Sequence, residues 1–164
     1  MRLDIYTDAG GCSTKKIRIG AVVVNQDDPN YEGHKFSKRH NIHSVKISFG
    51  FKPHEPFSSN SSLAELLSIN EVLNEVSKLN TEIENINIYT DSMYAFNCCN
   101  GLQKKFKCEL VRKITESIKS FKSKLNINVM WVKGHVGTWG NEMADELCKA
   151  DQLEINEIRQ VVNK

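Results

Sequence analysis

The chain has 164 residues, 40% of them apolar and 26% charged, with a formal net charge of +2. That is room for one globular domain, and it excludes collagen-like, disordered and low-complexity chains. No apolar run approaches the roughly 18 residues of a membrane-spanning helix, and residues 1–8 lack the apolar core of a signal peptide. The five cysteines include no CxxC pair. A disulfide framework and a zinc knuckle are therefore not expected, and a reducing intracellular compartment, cytoplasmic or nuclear, is.

Taken in chain order, residues 2–8 (RLDIYTD) alternate and are β-prone, which predicts a strand. Ala9 to Ser13 reads as a turn around Gly10 and Gly11. Ile17 to Asn25 predicts a second strand, in a hairpin with the first. A polar loop follows from Gln26, and Val45 to Phe51 (VKISFGF) reads as a third strand stopped by Pro53 and Pro56. Ser58 to Ser62 is rich in N-cap residues before a helix over Leu63–Leu79, where Leu66, Ile69, Leu73 and Val76 recur at helical spacing. Ile86 to Asp91 predicts a fourth strand. A helix starts at Ser92 and breaks at Asn100-Gly101, and another covers Glu109 to Lys124. Ile127 to Val132 predicts a fifth strand. A Gly-rich loop from Gly134 to Gly140 leads into a helix over Asn141–Ala150. The order βββαβαβα is an α/β plan with a mixed sheet. Residues 151–164 are expected as a short helical tail packed on the same domain.

Charge is unevenly spread. Leu102 to Lys124 holds eight Lys/Arg against two Glu, and His34 to Lys46 holds four Lys/Arg, three His and no carboxylate. The lysine run is either a solvated helix face or a track for phosphates. In it, Lys104, Lys105 and Lys107 follow the Asn100-Gly101 break, with Phe106 among them, available to a sugar or to the core.

The tetrapeptide Ile-Tyr-Thr-Asp occurs twice, at 5–8 and 88–91. If the two strands are parallel neighbours, both aspartates reach one sheet edge, where α/β sheets bind ligands. Two converging carboxylates repel unless a cation lies between them, and hard oxygen donors suit Mg²⁺ or Mn²⁺. The alternative is that both aspartates cap helices. Glu65 sits in the first turn of the apolar stripe of its helix, whereas Glu71 and Glu75 mark the polar side. In Trp131–Asp145 (WVKGHVGTWGNEMAD) a loop presents His135 ten residues before Asp145, which can bring an imidazole beside a carboxylate.

Four segments together resemble type 1 ribonuclease H, including the domains fused to reverse transcriptases. They are TDAGG at Thr7–Gly11, AELLSI around Glu65, YTDSMY at Tyr89–Tyr94 and VKGHVGTWGNEMADEL at Val132–Leu147, in family order over roughly residues 1–150. The resemblance implies a ribonuclease H-like fold, a five-stranded mixed sheet flanked by helices on both faces, with the catalytic domain at 1–150. It implies an endonuclease that hydrolyses the RNA strand of RNA–DNA hybrids and leaves 5′-phosphate and 3′-hydroxyl ends. Asp8, Glu65, Asp91 and Asp145 would be catalytic ligands of two Mg²⁺ ions, with Mn²⁺ able to substitute, and His135 would assist. Gly10, Gly11, Asn60, Ser61, Ser62, Ser92, Met93 and Asn141 would touch the substrate, and Lys104, Lys105 and Lys107 its phosphates.

The chain also departs from the family. Met93 stands where many members have Gln, and Ser61 and Ser62 stand where Asn residues are common. The 44 positions from Asp91 to His135 are too few for a basic protrusion, while the 57 from Asp8 to Glu65 are many. The extra length is expected in the basic loop from Gln26 to His43. No hybrid-binding domain is expected before the first strand, and the protein is expected to be a monomer without membrane contact. A DNA-directed nuclease or transposase-like enzyme of the same fold, and a non-catalytic hybrid-binding module, are the competing readings.

Overall fold

The computed structural model describes residues 1–10, 16–28, 34–52, 61–79, 82–133, 139–149 and 155–156. Among them β1 (Arg2–Gly10), β2 (Lys16–Asn25), β3 (His34–Asn41), β4 (Asn85–Thr90) and β5 (Ile127–Trp131) form the mixed sheet. A two-residue β6 (Ile155–Asn156) extends it, giving the order β5-β4-β1-β2-β3-β6. β1 is antiparallel to β2 and parallel to β4, and β4 is parallel to β5.

Alternation sorts the central strands into two faces. Leu3 and Ile5 of β1 and Ile17, Ile19, Ala21 and Val23 of β2 lie fully buried in the main core. Helix α2 (Ser61–Ser77) covers this side, with almost every residue from Ser62 to Val76 buried or half-buried. Behind it packs α4 (Glu109–Lys124), joined by the short α3 (Met93–Cys99). On the opposite face α5 (Trp139–Lys149) packs across β1, β2 and β3. The approach is close. A Cβ on Gly20 would lie 2.6 Å from the Ala144 carbonyl oxygen, and one on Gly140 would lie 2.2 Å from the Tyr6 ring. Only glycine lets this helix reach the strand ends.

Three expectations are corrected. Val45–Phe51 is not a strand: Ile42–Ser48 is helix α1, capped by Asn41, whose side chain accepts from the His43 N–H at 2.8 Å. VKISFGF alternates, but Ile42, Val45 and Phe49 also recur at helical spacing, and they are the residues turned to the core. The third strand is instead β3, inside the stretch read as a polar loop. It pairs with β2 from His34↔Val23 to Asn41↔Lys16, and from Lys35 to Asn41 it buries only Phe36 and Ser37. Its polarity is that of a strand near the sheet edge rather than of a loop. The turn expected over Ala9–Ser13 does not begin at Ala9, because Ala9 and Gly10 continue β1 opposite Ile19 and Arg18; its remaining positions lie outside the described residues. In the tail, Ile155 and Asn156 pair antiparallel with Ser37 and Phe36 where a helix was expected. The edge backbone of β3 offers them hydrogen bonds. No described helix is long and apolar enough to cross a membrane.

Candidate active site

The duplicated tetrapeptide is a structural repeat. Ile5 pairs with Ile88 and Tyr6 with Tyr89 in parallel register. The two tyrosine rings stack at 4.8 Å, and Thr7 and Thr90 are fully buried. Thr7 Oγ1 donates to the Tyr89 carbonyl at 3.5 Å. Each strand therefore delivers its aspartate to the same edge, Asp8 within β1 and Asp91 one residue past β4.

Neither aspartate is a helix cap. The cap of α3 is Ser92, whose Oγ accepts from the Ala95 N–H at 3.1 Å, and the Ser92 N–H donates to Thr90 Oγ1 at 3.2 Å. The Trp131 indole N–H donates to the Asp91 carbonyl oxygen at 3.2 Å and ties the end of β5 to the same turn.

Glu65 completes the cluster from above. It lies on the second turn of α2, only 8% exposed, because the residues around it seat the helix on the sheet. Asp8, Glu65 and Asp91 each place a carboxylate oxygen within 4.8 Å of the others. Asp145, carried by α5, brings an oxygen to the same distance from Asp8 on the other side, together with the Cys148 sulfur. Asp8 is thus shared by two overlapping groups.

The electrostatic strain is explicit. Burial raises the Asp8 carboxyl to about 6, with the Asp91 charge and the contact with Asp145 adding to it. Hydrogen bonds from Glu65 and from the Ala9 N–H, at 2.9 Å, work against that rise. Burial, then the Asp8 charge, hold the Glu65 carboxyl well above the usual range. Glu65 Oε2 has no hydrogen-bond partner, an unusual condition for a buried acceptor. A crowded, desolvated set of carboxylate oxygens with one orphaned oxygen fits a hard divalent cation, which would neutralise the repulsion and occupy that oxygen.

The expected substrate residues surround this edge unevenly. Gly10 ends β1, Ser61 is exposed at the start of α2, and Met93 is 48% exposed at the start of α3. Asn141 is buried on α5, and its Oδ1 has no partner. Ser62 is buried and its Oγ accepts from Lys107 Nζ at 2.9 Å; that ammonium also stands 4.6 Å over the Tyr94 ring. Lys104 and Lys105 face solvent, and Phe106 packs on the core. His135, Gly11 and Asn60 lie outside the described residues. Cys148 was not singled out by the sequence reading, although a cysteine three residues after Asp145 on a helix must share its side.

Comparison with known proteins agrees with this geometry. The RNase H family model matches residues 1–152. Ribonuclease H of Francisella philomiragia is 40% identical over 80 residues, covering 43% of this chain and 53% of that protein, and that of Francisella tularensis subsp. novicida matches to the same extent. The chain spans about half the length of the curated relatives it matches. Among solved structures, RNase H1 of the archaeon Halobacterium salinarum superposes with a TM-score of 0.61 at 14% identity, covering 90% of this chain and 94% of that one. LC11-RNase H1, solved in complex with an RNA/DNA hybrid, gives 0.61 at 16% identity over 89% and 96%. By its fold and by a family match over nearly its whole length, the chain belongs to the ribonuclease H family.

Proposed function

We propose that this protein is a divalent-cation-dependent endoribonuclease that hydrolyses the RNA strand of RNA–DNA hybrids. The convergence of Asp8, Glu65, Asp91 and Asp145 on one sheet edge carries the reading. Family membership and the hybrid bound to LC11-RNase H1 support the substrate class.

Asp8, Glu65, Asp91 and Asp145 would hold two Mg²⁺ ions, or Mn²⁺ in their place, with Asp8 common to both groups. When bound, such ions lower the pKa of an attacking water and stabilise a leaving 3′-oxygen, giving 5′-phosphate and 3′-hydroxyl ends. The chain's own part is to hold the carboxylates together and fixed. Burial of Glu65 by α2, the Ala9 N–H on Asp8 and the Trp131 anchor on the Asp91 backbone restrict their movement. His135 would stand by the scissile phosphate and pass a proton to the leaving group or assist product release.

The hybrid would be read by 2′-hydroxyl contacts on one strand and backbone contacts on the other. Gly10, Gly11, Asn60, Ser61 and Met93 line the approach in this reading, while Ser62 and Asn141, buried on α2 and α5, would act from beneath it. Ser92 would offer its hydroxyl hydrogen, since its oxygen caps α3. Lys104, Lys105 and Lys107 would meet phosphates. The protein would act as a monomer in a reducing intracellular compartment.

The test is incubation with labelled RNA–DNA hybrid, double-stranded RNA, double-stranded DNA and single strands, each with Mg²⁺, Mn²⁺ or EDTA. Cleavage confined to the RNA of the hybrid and abolished by EDTA is the expected result. Cleavage of DNA would transfer the protein to the transposase-like reading, and binding without cleavage would make it a hybrid-binding module.

A further inference from the structure

Cys148 introduces a donor of a different chemical class into an otherwise all-oxygen centre. It is 1% exposed, and its Sγ lies within 4.8 Å of carboxylate oxygens of both Asp8 and Asp145. The Sγ–H donates to the Asp145 carbonyl at 3.1 Å. Room for the sulfur comes from Gly10, where a Cβ would stand 3.2 Å from it. Asn141, Asp145 and Cys148 follow one another at i, i+4 and i+7, hence along one side of α5.

Two orphaned oxygens stand on side chains that border this group, Glu65 beside Asp8 and Asn141 one helical turn before Asp145. Glu65 Oε2, on a side chain 8% exposed and directed at Asp8, has no partner. Asn141 Oδ1, on a side chain 1% exposed one turn before Asp145, has none either. Buried acceptors left unpaired call for a cation or a donor.

The donor set decides which cation. Asp8, Glu65 and Asp91 offer only hard oxygens, whereas Asp8, Asp145 and Cys148 offer two oxygens and a sulfur, a mixture that favours Zn²⁺ or Cd²⁺ over Mg²⁺. Zinc binds thiolate at about 2.3 Å and carboxylate at about 2.0–2.2 Å, so its ligand atoms stand roughly 3.5 Å apart. Atoms already within 4.8 Å reach that spacing by small side-chain adjustments.

We propose that Asp8, Asp145 and Cys148 form a site for thiophilic divalent cations, and that its occupation inhibits the enzyme by withdrawing Asp8 and Asp145 from hard ions. The inhibitory half rests on the proposed role of those two aspartates in catalysis. Binding forms a metal–sulfur bond, displaces water from the ion and releases the thiol proton to solvent, with no change of oxidation state.

The test titrates the reduced protein with Cd²⁺ and follows the ultraviolet charge-transfer band of a cadmium–thiolate bond, which needs no activity. The wild type should show a saturable band. Cys148→Ser and Cys148→Ala should each lose it and bind Cd²⁺ at least roughly 10–100-fold more weakly, the loss that even an outer-shell change inflicts. Asp145→Asn should weaken binding, and Cys98→Ser, away from the site, should not. An unchanged band and affinity in both Cys148 variants would overturn the site. Separately, Zn²⁺ added to a hybrid-cleavage assay in Mg²⁺ should inhibit the wild type more strongly than Cys148→Ser, each measured against its own Mg²⁺ rate. Equal inhibition with the band lost would overturn the inhibitory half alone. A wild type that binds Cd²⁺ through Cys148 but never cleaves hybrid would leave the site standing and contradict the proposed activity instead.

Discussion

Asp8 and Glu65 are 4% and 8% exposed, with like charges beside them, whereas Lys104 and Lys105 stand in solvent. Both regions gather like charge, yet the fold uses it differently. In the basic region much of the charge is absorbed locally. Lys107 donates to Ser62, Lys113 to the Phe49 carbonyl at 3.1 Å and Lys122 to the Cys99 carbonyl at 2.9 Å, while Arg112 pairs with Glu109 and Glu116. In the acidic region burial and mutual repulsion are left standing. Surface charge is inexpensive and its pattern says little, but buried like charge persists only where something else compensates it.

The comparison breaks most sharply at Asp91. Asp91→Asn keeps shape and hydrogen bonding but removes a ligand charge, so hybrid cleavage should fall to background while circular dichroism stays native. Appreciable hydrolysis by this variant would remove Asp91 from the centre. His135→Ala should cost less, roughly 10²–10⁴-fold in kcat, the usual worth of acid–base help. A rate as low as that of Asp91→Asn would assign His135 a different role.

Position of the acidic centre depends on α5 lying tight on the sheet. Gly20→Ala would push a methyl into the backbone at Ala144 and Cys148, so unfolding should become easier by about 1–3 kcal/mol, as overpacking costs elsewhere. Chemical denaturation measures it, and an unchanged midpoint would mean that α5 has slack. The basic region should give the smallest effect. Lys104→Ala with Lys105→Ala should raise KM and reduce the log–log salt dependence by up to about 1.8, or about 0.9 per phosphate contact, with kcat nearly intact. Unchanged binding across salt would make both lysines a solvated face.

The same contrast explains what could be read from the sequence. The Ile-Tyr-Thr-Asp repeat was legible because strand alternation and a terminal acid leave few alternatives, and the register of Tyr6 on Tyr89 bears it out. Helix α2 was legible from the apolar spacing of Leu66, Ile69, Leu73 and Val76. β3 was not, because a strand that from Lys35 to Asn41 buries only Phe36 and Ser37 owes its existence to pairing with β2, which no local pattern encodes. α1 was misread because seven residues satisfy both periodicities, and the Asn41 cap decides between them. Glu65 was legible as an acid in an apolar stripe. Cys148 was passed over because its importance lies in what β1 brings against it.

The central claim is that Asp8, Glu65, Asp91 and Asp145 are brought together for cations to hold. Thermal unfolding of the wild type and Asp8→Asn, in EDTA and in Mg²⁺, tests it most directly. With its folded carboxyl raised to about 6, Asp8 supports the metal-free fold fully below its unfolded value and loses that support as pH rises through about 6. At pH 7.5 Mg²⁺ should therefore raise the wild-type Tm. Asp8→Asn should start from a higher Tm in EDTA, lose that pH dependence and gain little from Mg²⁺. A wild type indifferent to Mg²⁺, or an Asp8→Asn variant that gains as much from it, would contradict the claim.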